Sequence, residues 1–191
     1  LCTVLVLLAL VSGCAALRPK PTPTDLKAQE MWSNLLASED DSLAFKLRAS
    51  LNIRTPEKKH RILLRLWGNY EYPVRLDLAA GMGTPFGFWR EDAEGLLAYY
   101  PSRSQAYWHW NPRSAAKAFG MDTPFTMLEL GQVLTGHWEA VLPQEYASAE
   151  PIPGGYKYTL EDNSTLQSIS ITEESGPVEI LSNHPRACVL T

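Results

Sequence analysis

The four histidines of the chain are the side chains best suited to hold a metal ion or to move a proton near neutral pH. His60, His109, His137 and His184 are scattered, without the i, i+4 spacing and adjacent glutamate of a zinc-binding helix. No Gly-x-Ser-x-Gly segment is present to carry a serine nucleophile. His109 lies between two tryptophans, where a structural role is the simpler interpretation. The sequence therefore predicts no enzyme, no metal site and no cofactor.

Cys14 ends an apolar run that begins at the first residue and closes with Val11, Ser12 and Gly13. The apolar part of a secretory signal is about 7–15 residues long, whereas a helix that spans a bilayer needs about 20. The run is too short to span a membrane, and we expect residues 1–13 to be a cleaved signal peptide. The alternative is a short buried helix or strand that ends by chance in Gly-Cys.

The segment Val11-Ser12-Gly13-Cys14 resembles the lipobox of bacterial lipoproteins. The resemblance implies cleavage before Cys14, attachment of diacylglycerol to its thiol, and acylation of the new amino group. Acyl chains contribute about 0.8 kcal/mol of membrane binding per buried methylene. Ala15 follows, rather than the aspartate that retains some lipoproteins at the inner membrane. The implied location is the outer membrane, with the lipid-anchored domain facing the periplasm and separated from nucleic acid.

The rest of the chain divides into a tether and one domain. Residues 14–24 contain Arg-Pro-Lys-Pro-Thr-Pro-Thr, which favours an extended conformation. Thr24 is a candidate cap for a helix that begins at Asp25, and residues 25–191 are predicted to form a single domain. Cys2 would leave with the signal peptide and Cys14 would carry lipid, so Cys188 would be alone and no disulfide is expected within the chain.

Basic residues are concentrated in the first half of the predicted domain. Residues 43–90 hold nine lysines and arginines against three acidic residues, although the whole chain has a net charge of −4. A basic face of this kind could meet anionic lipid headgroups. The alternative is that these are the solvated faces of ordinary strands, and a cluster at Glu91, Asp92 and Glu94 is predicted to be a solvated turn.

Alternating apolar and polar residues predict antiparallel strands over most of the domain. Residues 43–53, 60–70 and 74–78 are predicted to be strands, followed by three aromatic-rich strands between 86 and 110. Asn111-Pro112 and Thr123-Pro124 are each typical of a helix start, and residues 143–155 are predicted to be a loop. Further strands are predicted at 156–160, 166–171, 178–181 and 188–190. The predicted fold class is α+β, with helices covering the apolar face of an antiparallel sheet.

Two local patterns resemble the LolA/LolB family of lipoprotein-localisation proteins. The segment Val74-Arg75-Leu76-Asp77-Leu78 runs into Ala80-Gly81-Met82-Gly83-Thr84, similar to the family's strand, loop and strand, and residues 113–136 resemble its helix, Gly-x-x-x-Pro and helix. The resemblance implies a strongly curved, unclosed barrel whose helices cover a concave apolar cavity. It also implies a monomer that accepts the acyl chains of lipoproteins from a LolA-like periplasmic carrier and inserts them into the outer membrane.

The resemblance points to two sets of site residues. Met82, between Gly81 and Gly83, would form a membrane-insertion loop, and the alternative is that its side chain folds back onto the sheet edge. Apolar residues of the strands would line the acyl cavity, and the alternative is an ordinary close-packed core. The cavity candidates are Phe45, Leu47, Leu64, Leu66, Leu76, Phe86 and Phe88.

Two other functions remain open at this point. An envelope lipoprotein with a LolB-like fold could act as a generic lipid-binding or protein-interaction module. A periplasmic hydrolase would need a convergent cluster of histidine, acid and nucleophile, which the sequence alone does not place together.

Overall fold

The structure, a computed structural model, describes most of the predicted domain and has an α+β fold with antiparallel sheets. The predicted signal peptide, Cys14 and residues 15–22 of the tether lie outside the described residues. The described residues are 23–37, 42–54, 59–119, 121, 123–161, 166–182 and 188–189.

Six strands form the first sheet, a meander in which each strand pairs with its neighbour along the chain. Leu47, Leu66, Leu76 and Trp89 lie opposite one another across four of these strands, so they share one face. A single 3₁₀ turn, Pro101–Arg103, joins the last two strands. The strands are β1 (Ala44–Arg54), β2 (Lys59–Asn69), β3 (Val74–Ala80), β4 (Pro85–Asp92), β5 (Gly95–Tyr100) and β6 (Gln105–His109).

Within the described residues, three α-helices accompany the sheets: α1 (Pro23–Leu36), α2 (Pro112–Ala118) and α3 (Met127–Leu134). α1 begins at Pro23 rather than at the predicted Asp25, because proline is accepted in the first turn of a helix. α2 begins as predicted, with the Asn111 side chain accepting a hydrogen bond from the Ser114 N–H at 2.8 Å.

The start of α3 differs from the prediction. Thr123 and Pro124 form a turn, and the helix begins three residues later, after Thr126. Thr126 and Glu129 form a capping box, in which each side chain accepts a hydrogen bond from the other residue's N–H, at 3.2 and 2.8 Å. This reciprocal pair satisfies two N–H groups that would otherwise lack partners, and it therefore fixes the helix start.

Five strands form the second sheet, again with antiparallel neighbours. β7 lies within the segment predicted to be a loop, and this prediction was wrong. Pro151 lies in β7. The strand tolerates this proline because β7 is at the edge of the sheet, where an N–H on the open side has no inter-strand hydrogen bond to lose. The strands are β7 (Ser148–Ile152), β8 (Gly155–Thr159), β9 (Leu166–Thr172), β10 (Gly176–Ser182) and β11 (Cys188–Val189).

The buried apolar residues form two clusters, one for each sheet. The first joins α1 and the 3₁₀ turn Trp138–Ala140 to the five-stranded sheet, with Trp32 and Tyr158 among its members. The second joins α2 and α3 to one face of the six-stranded sheet. Leu130 of α3 packs against both clusters, so α3 connects the two halves of the domain.

Candidate functional site

The six-stranded sheet has an inner face, which carries Leu47, Leu66, Leu76 and Trp89 and packs against α2 and α3, and an opposite outer face. Helix α3 covers only part of the inner face. Phe45, Leu66 and Leu76, three of the predicted cavity residues, are buried beneath the helices. Gly131 of α3 lies directly on the Phe45 ring, which leaves no room there for a Cβ atom. These three residues therefore belong to a close-packed core rather than to the wall of an open cavity.

Beyond the helices the inner face is open, and it holds a groove with an aromatic lining. The groove has a volume of about 610 Å³ and lies between α2 and strands β4, β5 and β6. The Tyr107 ring lies 5.9 Å from Tyr100 and 6.0 Å from Phe119, measured between ring centroids. We call it the aromatic groove, and its lining residues are Phe86, Tyr100, Ser102, Arg103, Tyr107, Ala118 and Phe119.

A bulge in β4 accounts for the position of Phe86. Leu78 of β3 is opposite Gly87 and Ala79 is opposite Pro85, so Phe86 has no register partner on β3. An extra residue of this kind bends a strand and changes where its side chains point. The bulge explains why Phe86 lines the aromatic groove although Phe88, two residues later, lies on the outer face.

The aromatic groove also contains polar atoms. The Tyr100 hydroxyl donates a hydrogen bond to the Phe119 carbonyl at 3.2 Å, and burial raises the pKa of Tyr100, which therefore stays neutral near pH 7. Of the described residues that line the groove, only Arg103 carries a charge. Aromatic rings with hydroxyl groups and one cation suit an amphiphile, whose polar head can lie near Arg103, better than a bare hydrocarbon.

The remaining cavity candidates are not brought together with Phe86. Leu47 and Leu64 are half-buried and pack at the margin of the core. Phe88 shares a cross-strand row with Asp77 and Tyr99 on the outer face. The Arg75 guanidinium lies 5.7 Å from the centre of the Phe88 ring. The seven predicted residues are thus divided among core, groove and outer face.

Met82 is the most exposed large apolar residue of the described chain, with 98 % of its surface accessible. The Gly83 N–H donates to the Ala80 carbonyl at 2.7 Å, in a turn where Gly83 has a φ of +88° that suits glycine. The alternative in which Met82 folds back onto the sheet edge is therefore wrong.

Glu91 does not lie where the sequence predicted. It is fully buried on the inner face instead of lying in a solvated turn. Its carboxylate accepts hydrogen bonds from the Met127 N–H at 2.7 Å and from the Tyr72 hydroxyl at 3.3 Å. It therefore ties the first turn of α3 to β4. The signal was present in the alternation of β4, which puts residues 89 and 91 on one face.

Burial raises the pKa values of both Glu91 and Tyr72. It raises the pKa of Glu91, although the hydrogen bonds from Met127 and Tyr72 act in the opposite direction. Burial, together with the neighbouring Glu91, raises the pKa of Tyr72 to about 12. Tyr72 therefore remains a neutral donor at physiological pH, and Glu91 serves as a structural anchor for α3.

The histidine that lies between two tryptophans has a local hydrogen-bond partner. His109 Nδ1 accepts a hydrogen bond from the Asn111 N–H at 3.0 Å, next to the start of α2. Across the described ranges, no group of three or more His, Cys, Asp or Glu side chains is placed to hold a metal ion. In the same part of the chain, no helix combines the length and apolar character needed to cross a bilayer.

Comparisons with known proteins do not identify a relative of this chain. No family model matches the chain, and a search of curated proteins finds no match either. A function is therefore argued from features such as the aromatic groove on the inner face and the exposed Met82 loop beside the same sheet.

Proposed function

We propose that this protein is a lipid-anchored lipoprotein of the outer membrane whose aromatic groove binds an acyl chain non-covalently. In this proposal it accepts lipoproteins from a LolA-like periplasmic carrier and inserts them into the membrane, as the resemblance to LolB implies. The proposal includes a strongly curved, unclosed barrel, of which the two antiparallel sheets and their covering helices would be parts. The observation that carries the proposal is the aromatic groove left open beside α2.

The dimensions of the groove fit this role. Its volume of about 610 Å³ falls within the roughly 300–1,000 Å³ of sites that bind small molecules. An acyl chain needs apolar contact but little geometric precision, and each methylene removed from water contributes about 0.8 kcal/mol. Phe86, Tyr107 and Phe119 offer that contact, while Arg103 and Ser102 offer polar partners for the head of the amphiphile.

The Met82 loop would supply the release step. An exposed methionine on a tight turn can enter the acyl region of a bilayer at little cost, because its side chain makes no contact that must first be broken. The lipid on Cys14 and the tether over residues 14–24 would hold the domain close to that bilayer. The alternative, a generic lipid-binding or protein-interaction module, shares the groove but needs no transfer through Met82.

Filling the groove from one side tests the proposal. Ala118 is exposed on α2 and lines the groove, so Ala118→Trp should obstruct it without disturbing the core. Binding of a fluorescent fatty acid should weaken about tenfold or more, equivalent to roughly 1.4 kcal/mol. Ser114→Trp, on an exposed position of α2 that does not line the groove, is the matched control and should bind normally. Equal affinity of both variants and the parent protein would exclude the aromatic groove as the binding site.

A further inference from the structure

The outer face of the six-stranded sheet carries an excess of positive charge. Its two acids, Asp77 and Asp92, already pair within their own strands: Arg75 Nε lies 3.0 Å from Asp77, and Arg90 Nε lies 3.2 Å from Asp92. Across the described residues, Lys46, Arg48 and Arg65 form no ion pair. The alternation of the strands places six basic residues on this face: Lys46, Arg48, Arg61, Arg65, Arg75 and Arg90.

Large apolar side chains lie between these cations and remain exposed. Trp67, Arg75, Arg90, Leu97 and Trp108 form one cross-strand row from β2 to β6. The Arg75 guanidinium lies 5.6 Å from the centre of the Trp67 ring, so cation and aromatic ring are already in contact. Trp108 is 59 % exposed and the Trp110 that follows it is 69 % exposed. Exposed apolar side chains concentrated on one face mark a contact surface.

A depression in this face extends from Phe88 to the turn at Gly83, beside Met82. It has a volume of about 420 Å³, and its charged lining residues are Arg48, Arg65 and Asp77, beside apolar residues such as Leu63 and Pro85. Gly81 packs against the Arg61 side chain, so the Met82 turn borders the basic face. A partner that covers this depression therefore contacts cations, the Phe88 ring and the turn that carries Met82.

We propose that the outer face docks on the surface of an anionic phospholipid bilayer. Guanidinium groups pair with phosphates through several hydrogen bonds, and basic residues near an anionic surface gain from its potential. Tryptophan and tyrosine concentrate at the boundary between headgroups and acyl chains, because each has an apolar ring and a polar tip. An acidic protein would account for the cations but not for the adjoining exposed Met82. The proposal goes beyond the acyl-binding function, since it uses the face opposite the aromatic groove.

The tryptophans of the native chain allow a direct test with the whole chain prepared without a lipid on Cys14, so that the anchor itself cannot hold the protein to either kind of vesicle. Three of the six, Trp32, Trp89 and Trp138, are almost fully buried, whereas Trp67, Trp108 and Trp110 are exposed on or beside the outer face. Vesicles containing brominated phosphatidylglycerol should quench part of the fluorescence, and vesicles of brominated phosphatidylcholine should quench much less. Added salt should reduce the difference, because it screens the charges.

Charge variants identify the face responsible. The double variant Arg48→Gln with Arg65→Gln should raise the phosphatidylglycerol concentration needed for half-maximal quenching about tenfold or more. Lys117→Gln with Lys157→Gln removes the same charge from α2 and from β8 and should leave quenching unchanged. Equal quenching by the two lipids, or equal effects of the two double variants, would overturn the proposal. Neither result depends on fatty-acid binding. Failure of the bilayer-docking proposal can therefore be distinguished from failure of the proposal that the aromatic groove binds an acyl chain.

Discussion

The two halves of the domain each have a surface depression of nearly the same volume, but the depressions differ in the side chains that line them. The aromatic groove of the six-stranded sheet measures about 610 Å³, and the depression beside α1 measures about 600 Å³. The second, here the polar depression, is lined by five polar residues beside Leu26, Trp32 and Tyr146; the polar ones are Gln29, Glu30, Ser33, Gln144 and Glu145. Size alone does not separate a binding site from an ordinary surface feature. The chemical nature of the side chains that border it does.

The two halves also use their aromatic rings differently. In the five-stranded half, the nearly buried Trp32 ring lies 5.0 Å from Tyr158 and 5.4 Å from Tyr146. The Tyr158 hydroxyl donates to the Ala28 carbonyl at 2.9 Å, and burial raises the pKa of Tyr158. In the six-stranded half, comparable rings border solvent on both faces. We infer that the first half contributes mainly stability and the second mainly binding.

Truncation of Trp32 should have the largest effect on stability. Trp32→Ala removes a buried ring and the hydrogen bond from its indole N–H to the Gln144 carbonyl, so the free energy of unfolding should fall by about 3–5 kcal/mol. Urea denaturation measures the loss, and the folded fraction should still bind fatty acid normally. Leu26→Ala, at an exposed position of α1, is the control and should change stability by about 0.5 kcal/mol or less. A loss of fatty-acid affinity in folded Trp32→Ala would contradict the division between the two halves.

Replacement of Glu91 should have the next largest effect. Glu91→Ala leaves the buried Met127 N–H without its acceptor, and the free energy of unfolding should fall by about 1–3 kcal/mol. Glu91→Gln retains an acceptor oxygen and should lose less. Denaturation of the parent protein and both variants under one buffer condition provides the comparison, and equal losses would contradict a hydrogen-bonded anchor for α3.

The raised pKa of Glu91 predicts that stability depends on pH. Burial raises the pKa of Glu91 above its ordinary value of 4.5, so the folded protein retains the proton to higher pH than the unfolded chain does. The contribution of Glu91 to the free energy of unfolding should therefore fall as the pH rises from 4.5 through the raised pKa. Glu91→Gln should remove this fall, and an unchanged pH profile in that variant would contradict the assignment.

Two tyrosines of similar exposure allow the two faces of the six-stranded sheet to be tested separately. Tyr107 lines the aromatic groove, whereas Tyr99 lies on the outer face. Each tyrosine-to-alanine variant should lose about 1 kcal/mol of stability or less, because both rings are partly solvated. Only Tyr107→Ala should weaken fatty-acid binding, by about fivefold. The account would be contradicted if titration with a fluorescent fatty acid gave equal losses for the two variants.

Met82 should have the smallest effect on stability. Met82→Glu should change the free energy of unfolding by about 0.5 kcal/mol or less, because the side chain is exposed. Fatty-acid binding should also be intact, while transfer of a bound acyl chain to vesicles should slow. Met82→Leu keeps the apolar character and should transfer normally. If all three properties declined together in Met82→Glu, Met82 would be a structural residue.

The strands of the six-stranded sheet could be predicted because their side chains alternate with a period of two. The extent of helix coverage could not be predicted. Phe45 and Leu51 have the same parity in β1, yet Phe45 is buried beneath α3 and Leu51 is about half exposed. Their environments depend on where α3 packs, which no local pattern in β1 encodes.

The bulge in β4 also could not be predicted from the sequence, and it decides which side chains line the aromatic groove. A strict alternation assigns Phe86 and Phe88 to one face, but the bulge places them in different surroundings. Glu91 was misplaced because an acid near a turn is usually solvated, and only the position of the α3 N-terminus gives its carboxylate a buried partner. The predicted meander of the first six strands is therefore confirmed, whereas the residues that meet one another could be assigned only from the tertiary structure.

Mapping the cross-links of a photo-reactive fatty acid tests the central claim most directly. After illumination of the full-length protein, mass spectrometry should locate the adducts on peptides that contain Phe86, Tyr107 or Phe119, which line the aromatic groove. The polar depression, of nearly equal volume, is the internal control and should acquire few adducts at Gln29 or Gln144. Adducts distributed equally between the two depressions, or absent from the groove, would contradict the account.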